Sequence, residues 1–174
     1  MKRPLSSLLP LVLAAALAGC LPAFPRVAEP PAAPTFDVDA FFAGETRGLG
    51  VLRVRGRQPV EVRVASRGER TGDGSLRLTQ TIRLGSDAPY GRTWTFRPIG
   101  DGRYTGALSE AVGPVEAVAD GPTLRIRYRT GRFTTVSQTL TLQPGGRVAL
   151  NLLSVRVLGV PVARLTEQIR RDEG

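Results

Sequence analysis

Residues 76–96 read LRLTQTIRLGSDAPYGRTWTF, two runs of alternating apolar and polar side chains separated by a turn signal. The apolar members of these runs fall on every second position: Leu76, Leu78, Ile82, Leu84, Trp94 and Phe96. Between the runs, Ala88-Pro89 predicts a bend, because proline presets φ. A period of two places one face on a core and the other in water. The stretch therefore predicts two antiparallel β-strands.

The same period continues through most of the chain after residue 36. Further apolar alternations occupy Leu52, Val54, Val60, Val62, Val64, Leu124, Ile126, Tyr128, Val136, Leu140 and Leu142. Turn signals such as Gly72-Asp73-Gly74 and Pro144-Gly145-Gly146 separate the runs. Short strands at regular spacing are typical of a β-sandwich or an up-and-down barrel. The favoured prediction is an all-β, antiparallel up-and-down barrel of about 8–10 strands, because closure removes exposed sheet edges.

Segments near the two ends of the domain depart from the simple pattern. Residues 37–42 predict a short N-terminal helical plug, in which Asp37 caps the helix and Phe41 and Phe42 enter the barrel. Residues 160–171 fit the period of either a strand or a helix. The strand is the favoured interpretation.

The first twenty residues have the pattern of an export signal. Lys2 and Arg3 precede an apolar run over residues 8–18, and such a run is too short for a membrane helix of about 20 residues. The sequence Leu17-Ala18-Gly19-Cys20 resembles the bacterial lipobox, whose cysteine carries a diacylglycerol and an amide-linked acyl chain such as palmitate. The alternative is a soluble secreted protein with a chance cysteine. In the Gram-negative lipoproteins that this segment resembles, aspartate after the cysteine signals retention in the inner membrane, so Leu21 implies, by that resemblance, anchoring to the outer membrane on its periplasmic face.

A proline-rich segment separates Cys20 from the alternating region. Five prolines stand among alanines here: Pro22, Pro25, Pro30, Pro31 and Pro34. A segment of this composition forms no core and rises about 3.1 Å per residue, or about 45 Å over residues 21–35. The predicted organisation is a signal peptide over 1–19, a lipidated cysteine and tether over 20–35, and a single barrel domain over 36–174.

Composition removes several chemistries. The 174 residues include no histidine and one cysteine, so histidine-based triads, histidine metal sites and internal disulfides are excluded. The formal charge is +9, and every basic residue after Lys2 is arginine. Two interpretations stay open: codon bias that leaves solvated arginines, or a functional basic face.

Few catalytic patterns remain. The chain has no calcium-loop motif, and Gly100, Gly102 and Gly106 miss the spacing of a phosphate-binding loop. A hydrolase with paired carboxylates is formally possible, with Asp37, Asp39, Glu45, Glu61 or Glu167 as the candidates. Nothing in the sequence places two of them together. The prediction is a non-enzymatic protein with no cofactor and no metal.

A series of short glycine-based motifs in fixed order carries a family resemblance. They are Phe41-Phe42-Ala43-Gly44-Glu45-Thr46, Gly50, Gly100-Asp101-Gly102-Arg103-Tyr104, Gly106, Val112-Gly113, Gly121, Leu150-Asn151, Gly159-Val160 and Thr166. In this order the chain resembles an uncharacterised bacterial lipoprotein family, domain of unknown function 3833. Val157-Leu158 and Pro122 depart from the pattern. The resemblance implies a lipocalin-like barrel on a lipid anchor and implies no known activity.

Two functions compete for such a barrel. The first is a binding module for a hydrophobic or amphipathic, lipid-like ligand. Its cavity would be lined by Leu52, Val54, Leu78, Ile82, Leu84, Trp94, Phe96, Ile126 and Tyr128. The second is an envelope scaffold with a filled barrel, whose outward arginines at 53, 55 and 57 and at 125, 127 and 129 would contact anionic components. Nucleic acid is not an expected partner, because the compartment is wrong and exposed aromatics are few.

Overall fold

The computed structural model describes residues 34–172, one α-helix and ten β-strands. The predicted signal peptide, Cys20 and most of the tether lie outside the described residues. The elements are α1 Val38–Phe42, β1 Gly44–Val54, β2 Val60–Arg70, β3 Leu76–Leu84, β4 Tyr90–Gly100, β5 Arg103–Leu108, β6 Val115–Asp120, β7 Thr123–Gly131, β8 Thr134–Leu142, β9 Val148–Val157 and β10 Val160–Arg171. The predicted strand over residues 160–171 is confirmed.

The ten strands form a closed antiparallel barrel in which each strand pairs with its neighbours in sequence. The barrel closes where β1 pairs with β10 in a continuous register from Thr46↔Arg171 to Val54↔Ala163. Closure therefore leaves no free sheet edge in the described part of the chain. The predicted up-and-down, lipocalin-like barrel is confirmed, with ten strands.

The barrel has two unlike ends. One end, which we call the plugged end, holds α1 and the turns at residues 71–75, 101–102, 121–122 and 143–147. The opposite end, which we call the open end, holds the turns at residues 55–59, 85–89, 109–114, 132–133 and 158–159. Because the strands alternate in direction, every second turn lies at the same end.

The helical plug is a single short helix of five residues. Asp37 caps it, since its Oδ1 accepts a hydrogen bond of 2.9 Å from the Ala40 amide. Three buried rings then fill the plugged end. The ring centre of Phe41 lies 5.3 Å from that of Phe36 and 4.9 Å from that of Phe42, and the rings of Phe41 and Phe42 meet edge to face. The Phe36 amide donates to Gly121 O at 2.7 Å, which fixes the incoming chain to the β6–β7 turn.

The interior contains two separate apolar clusters. The larger extends from the plug through Leu76, Trp94, Phe96, Leu124 and Leu140. The smaller contains Val62, Val64 and Ile82 on β2 and β3, with half-buried residues of β1, β3 and β10 packed on it. A barrel filled throughout by apolar side chains would give one continuous cluster. The division indicates that other residues occupy the middle of the barrel.

Candidate functional site

A layer of buried polar side chains crosses the barrel and borders both apolar clusters. Its members face inward from β2, β3, β8, β9 and β10, and each is between 4% and 8% exposed: Ser66, Gln80, Gln138, Asn151 and Glu167. Buried polar groups are costly unless they are hydrogen-bonded. A layer of them across a barrel interior therefore marks a candidate binding site.

Gln80 is the centre of one hydrogen-bonded network. Its Nε2 donates to Ser66 Oγ at 2.9 Å. Its Oε1 accepts from Trp94 Nε1 at 2.8 Å and from Arg92 Nε at 2.7 Å. The Arg92 guanidinium carbon also lies 5.3 Å from the centre of the Trp94 ring, within cation–π range. These contacts hold a partly buried positive charge beside the only tryptophan of the chain.

A second hydrogen-bonded group of the layer consists of Gln138 and Tyr128. Gln138 Nε2 donates to Tyr128 Oη at 3.3 Å, and the Tyr128 ring meets Trp94 edge to face at 5.3 Å. Burial raises the pKa of Tyr128 above its ordinary value, although the Arg92 charge and the Gln138 hydrogen bond oppose the shift. Tyr128 therefore keeps its phenolic proton and can also act as a hydrogen-bond donor.

Glu167 places a carboxyl group inside the barrel. Its Oε2 accepts from Asn151 Nδ2 at 2.9 Å. Desolvation raises the pKa of Glu167, and the Asn151 hydrogen bond and the Arg92 charge only partly oppose this effect. Asn151 Oδ1 is buried without a hydrogen-bond partner among the described residues. A protonated Glu167 or a bound molecule could supply the missing donor.

Two glycines of β1 make room for this carboxyl group. A Cβ added at Gly48 would collide with Glu167 Oε1. One added at Gly50 would lie 2.5 Å from Thr166 O and 2.9 Å from Glu167 Cβ. Side chains at these two positions would displace Glu167 or force β1 away from β10. The closing strand pair and the buried carboxyl group therefore depend on the same glycines.

A small cavity lies at the polar layer. Its volume is about 350 Å³ when all space between atoms is counted, but a water-sized molecule can move through only about 30 Å³ of it. Polar and apolar side chains share its lining: Phe42, Leu78, Gln80, Arg92, Trp94, Phe96, Ile126, Gln138, Leu140, Asn151, Glu167 and Ile169. Such a space holds one or a few waters. It is too small for an acyl chain.

Above the polar layer the barrel opens toward solvent. Six inward aliphatic side chains in this half are only half-buried: Leu52, Val54, Leu84, Leu153, Val155 and Leu165. Leu52, Leu84 and Leu165 pack on the smaller cluster, whereas Leu153 and Val155 pack on the larger one. The two groups meet where Leu165 pairs with Leu153 across β9 and β10, so they form adjacent parts of one apolar wall. We call the space that this wall surrounds, with the polar layer as its floor, the cleft.

The nine residues predicted to line a cavity divide between these regions. Leu78, Trp94, Phe96 and Ile126 line the small cavity. Tyr128 is buried beside it. Ile82 belongs to the smaller cluster, and Leu52, Val54 and Leu84 lie half-buried on the cleft wall or rim.

Sequence reasoning missed Gln80, Gln138, Asn151 and Arg92. The signal was present for two of them, because Gln80 stands in the inward alternation between Leu78 and Ile82, and Gln138 stands between Val136 and Leu140. A polar residue on the buried parity of a strand marks a buried hydrogen-bonding group.

Glu167 alone among the candidate carboxylates is buried in the barrel. Asp37 caps the plug, and the other three form ion pairs: Asp39 with Arg70, Glu45 with Arg67, and Glu61 with Arg63. Within residues 34–172, no group of three or more histidine, cysteine, aspartate or glutamate side chains is placed to hold a metal ion. No helix in this range is long and apolar enough to cross a membrane.

Solved structures share the barrel at low sequence identity. The S-type phycobiliprotein lyase CPES of Guillardia theta aligns with a TM-score of 0.64 and 11% identity, covering 80% of this chain and 94% of that one. A DUF3598-family protein of unknown function from Nostoc punctiforme gives 0.60 and 16%, covering 84% and 53%. Rv2717c of M. tuberculosis gives 0.56 and 16%, covering 76% and 93%. At these identities the likeness establishes the fold alone.

Sequence comparison places the chain in a family. No curated protein matches the sequence. The sequence profile of one family matches residues 14–171, which include all of the barrel and its plug. The order of glycine motifs predicted this membership, and the chain belongs to the family described as "Protein of unknown function (DUF3833)".

Proposed function

We propose that this protein is a non-enzymatic binding module, lipid-anchored to the bacterial outer membrane through Cys20 and facing the periplasm, which holds an amphipathic, lipid-like ligand in the cleft. One observation carries the proposal: six inward aliphatic side chains of the open half are only half-buried, and they surround a hydrogen-bonding floor. Binding sites for small molecules usually combine apolar walls with a few convergent polar groups.

The floor indicates the polarity of the ligand's head. Arg92 offers a positive charge, Gln80 and Gln138 offer amide groups, and Asn151 Oδ1 is an open acceptor. A head that both accepts from Arg92 and donates to Asn151 would satisfy these groups. A protonated or hydroxylated head on an apolar tail has this chemistry. The apolar tail would lie along the aliphatic walls and leave water, which favours binding.

The alternative is an envelope scaffold with a filled barrel. The narrow cavity at the polar layer, with about 30 Å³ open to a water-sized molecule, favours this second function, because a plain eight- to ten-strand barrel can be filled by its own side chains. The two functions differ in one respect that can be measured, which is whether an apolar molecule enters the cleft and reaches the vicinity of Trp94.

Trp94 provides the test, since it is the only tryptophan and lines the small cavity. The full chain in a non-ionic detergent is titrated with dibromostearic acid, whose bromines quench tryptophan emission on contact. Saturable quenching supports binding in the cleft. Leu153→Arg places a charge on the cleft wall and removes an apolar contact worth roughly 1.5 kcal/mol. The dissociation constant obtained from the quenching titration should therefore rise about tenfold.

The adjacent Leu152 gives the matched control. It is 58% exposed, in contrast to the half-buried Leu153, so Leu152→Arg should leave the quenching unchanged. Both variants must melt cooperatively near the wild-type temperature. Absence of quenching in a well-folded wild-type protein, over a panel of brominated fatty acids and brominated lysophospholipids, would contradict the binding module and support the scaffold.

A further inference from the structure

The open end carries an exposed apolar rim on two neighbouring hairpins. Its members are Phe133 in the β7–β8 turn and Val157, Leu158 and Val160 around the β9–β10 turn. The two turns are contiguous, because the Leu158 amide donates to Phe133 O at 2.9 Å and Val157 pairs with both Thr134 and Val160. Leu158 is 72% exposed and Phe133 is 55% exposed. We call these four residues the apolar rim.

Leu158 occupies a backbone conformation that does not suit it. Its φ is 51°, and that of Gly159 is 81°. Two successive positive φ values in a two-residue hairpin loop define a turn that favours Asn-Gly. Leucine is disfavoured there because its Cβ crowds the backbone. An exposed apolar side chain held in a strained conformation indicates that the side chain has a use outside the fold.

The stretch of chain that carries the rim has positive charge only, although Glu110 lies in the neighbouring β5–β6 turn. From residue 121 to residue 166 the sequence contains no aspartate or glutamate and seven arginines: Arg125, Arg127, Arg129, Arg132, Arg147, Arg156 and Arg164. Two of them flank the rim itself. The Arg132 guanidinium carbon lies 5.2 Å from the Phe133 ring, and Arg156 Nη1 donates to Gly159 O at 3.3 Å. The tip therefore combines apolar side chains with adjacent positive charge.

We infer that the apolar rim docks on a bilayer whose surface carries anionic phospholipid headgroups. Phe133 and Leu158 insert at the boundary between headgroups and acyl chains, and Arg132 and Arg156 contact phosphates. Interfacial anchoring combines this kind of apolar burial with attraction of basic residues to anionic lipid. A projecting pair of turn tips suits a deformable surface, whereas a protein partner would require a shape complementary to two separate loops.

The length of the chain preceding the barrel permits this orientation. Phe36 enters at the plugged end, opposite the rim. Strands of 9–12 residues tilted by about 40° give a barrel roughly 28 Å tall. The proline-rich residues 21–35 reach about 45 Å when extended. An extended tether of this length exceeds the height of the barrel, so an anchor at Cys20 is compatible with docking of the open end.

Docking would also determine how a ligand reaches the cleft, a consequence that rests on the proposed function. The rim borders the open end, where Leu153, Val155 and Leu165 are only half-buried. With the rim inserted, an apolar tail would move from the bilayer to the cleft wall with little exposure to water. Such transfer avoids the cost of hydrating the tail.

The test uses the full chain reconstituted through its own N-terminus into vesicles with brominated acyl chains. One vesicle set is phosphatidylcholine alone, and the other contains one third phosphatidylglycerol. Phe133→Trp places an indole at the rim, and we call this indole the rim reporter. Its emission is obtained by subtracting the emission of the wild-type protein, whose Trp94 is buried. Leu152→Trp gives the wall reporter, a control on the outer wall of β9 where Leu152 is exposed. All variants share the same anchor, so the comparison reports orientation.

The expected result is quenching of the rim reporter but not of the wall reporter, at least about threefold stronger in vesicles with phosphatidylglycerol. Adding Leu158→Asn should raise the melting temperature by about 3 °C, because asparagine tolerates a positive φ, and should weaken quenching of the rim reporter about tenfold. Equal quenching of the rim reporter in both vesicle sets, or retained quenching with Leu158→Asn, would overturn the inference.

Other outcomes would also decide against docking. Quenching of the wall reporter would mean that the barrel lies on its side. If the rim reporter were unquenched in both vesicle sets, the rim would not dock on a bilayer, and a protein partner would be the explanation for its exposed side chains. Failure of docking is distinguishable from failure of the proposed function, because the rim is followed through Phe133→Trp and the cleft through Trp94 of the wild-type protein.

Discussion

The plugged and open ends of the barrel are closed by different means and carry different charges. At the plugged end, three phenylalanines fill the interior, and the turns and plug carry Asp37, Asp39, Asp73 and Asp101 against Arg147. At the open end, inward side chains are only half-buried, and the turns carry Arg55, Arg57 and Arg132 against Asp87 and Glu110. This difference indicates that the plugged end stabilises the fold, whereas the open end keeps apolar surface and positive charge accessible to other molecules.

The largest effect expected from this contrast is in core stability. Phe41→Ala should lower the free energy of unfolding by about 3–5 kcal/mol, because it removes a 2%-exposed ring from the aromatic group that fills the plugged end. Leu84→Ala should cost less than about 1.5 kcal/mol, since Leu84 is only half-buried and water already reaches its site. Denaturant unfolding of the full chain measures both.

Equal costs at the two positions would break the comparison. They would mean that the open half is packed as tightly as the plugged half, and that the cleft is filled in solution.

An intermediate effect is expected at the polar layer between the two ends. The pKa of Glu167 is raised by burial above its ordinary value of 4.5. As pH rises from that value to the folded pKa, the unfolded chain loses the proton first, so the stability of the barrel falls through this window and the loss is complete above it. Glu167→Gln keeps an oxygen that can accept from Asn151 and removes the charge. It should stabilise the protein at pH 7 and have little effect at pH 4.

The matched control is Glu61→Gln, which changes an exposed carboxylate paired with Arg63 at 2.6 Å. It should produce no such pH-dependent gain, because exposed ion pairs contribute little. Melting curves of both variants at pH 4 and pH 7 provide the measurement. If Glu167→Gln destabilised the protein at pH 7, the ionised carboxylate would be a stabilising part of the layer.

The smallest effect is expected in the β2–β3 turn at the plugged end. Asp73 Oδ1 accepts from Thr71 Oγ1 at 2.6 Å and from the Ser75 amide at 3.1 Å. These hydrogen bonds lower the pKa of Asp73 to about 2. The stability they contribute is present above pH 3.8 and is lost as pH falls toward 2.

A carboxyl-carbon NMR titration measures this value. Thr71→Val removes the leading hydrogen-bond donor and should move the Asp73 pKa toward 3.8. An Asp73 titration near 3.8 in the wild-type protein would show that the turn is open in solution.

Strand periodicity predicted the barrel well because inward and outward positions alternate along each strand and can be seen locally. The Trp94 and Phe96 run and the strand at residues 160–171 followed this rule. The helical plug was predicted from a different local signal, the capping residue Asp37. Lipidation of Cys20 stays a prediction, because that residue lies outside the described part of the chain.

The candidate site was less predictable because it depends on pairing across the barrel. Glu167 is buried only because β10 returns to β1, where Gly48 and Gly50 leave space for it. Asn151 meets Glu167 through the β9–β10 register. Whether Leu153 and Leu165 fill the interior or leave a cleft depends on side-chain volumes around the whole circumference. No local pattern contains that information.

The β1–β10 pair has a consequence for the time course of folding. It joins Thr46 to Arg171, so the barrel cannot close until the last strand has been synthesised and is free to pair. Until then β1 and the growing end of the sheet present unpaired backbone groups, and such long-range pairing is slow to form. Before β10 pairs with β1, the chain is therefore an open, aggregation-prone sheet with two exposed edges, and closure removes both edges in one step.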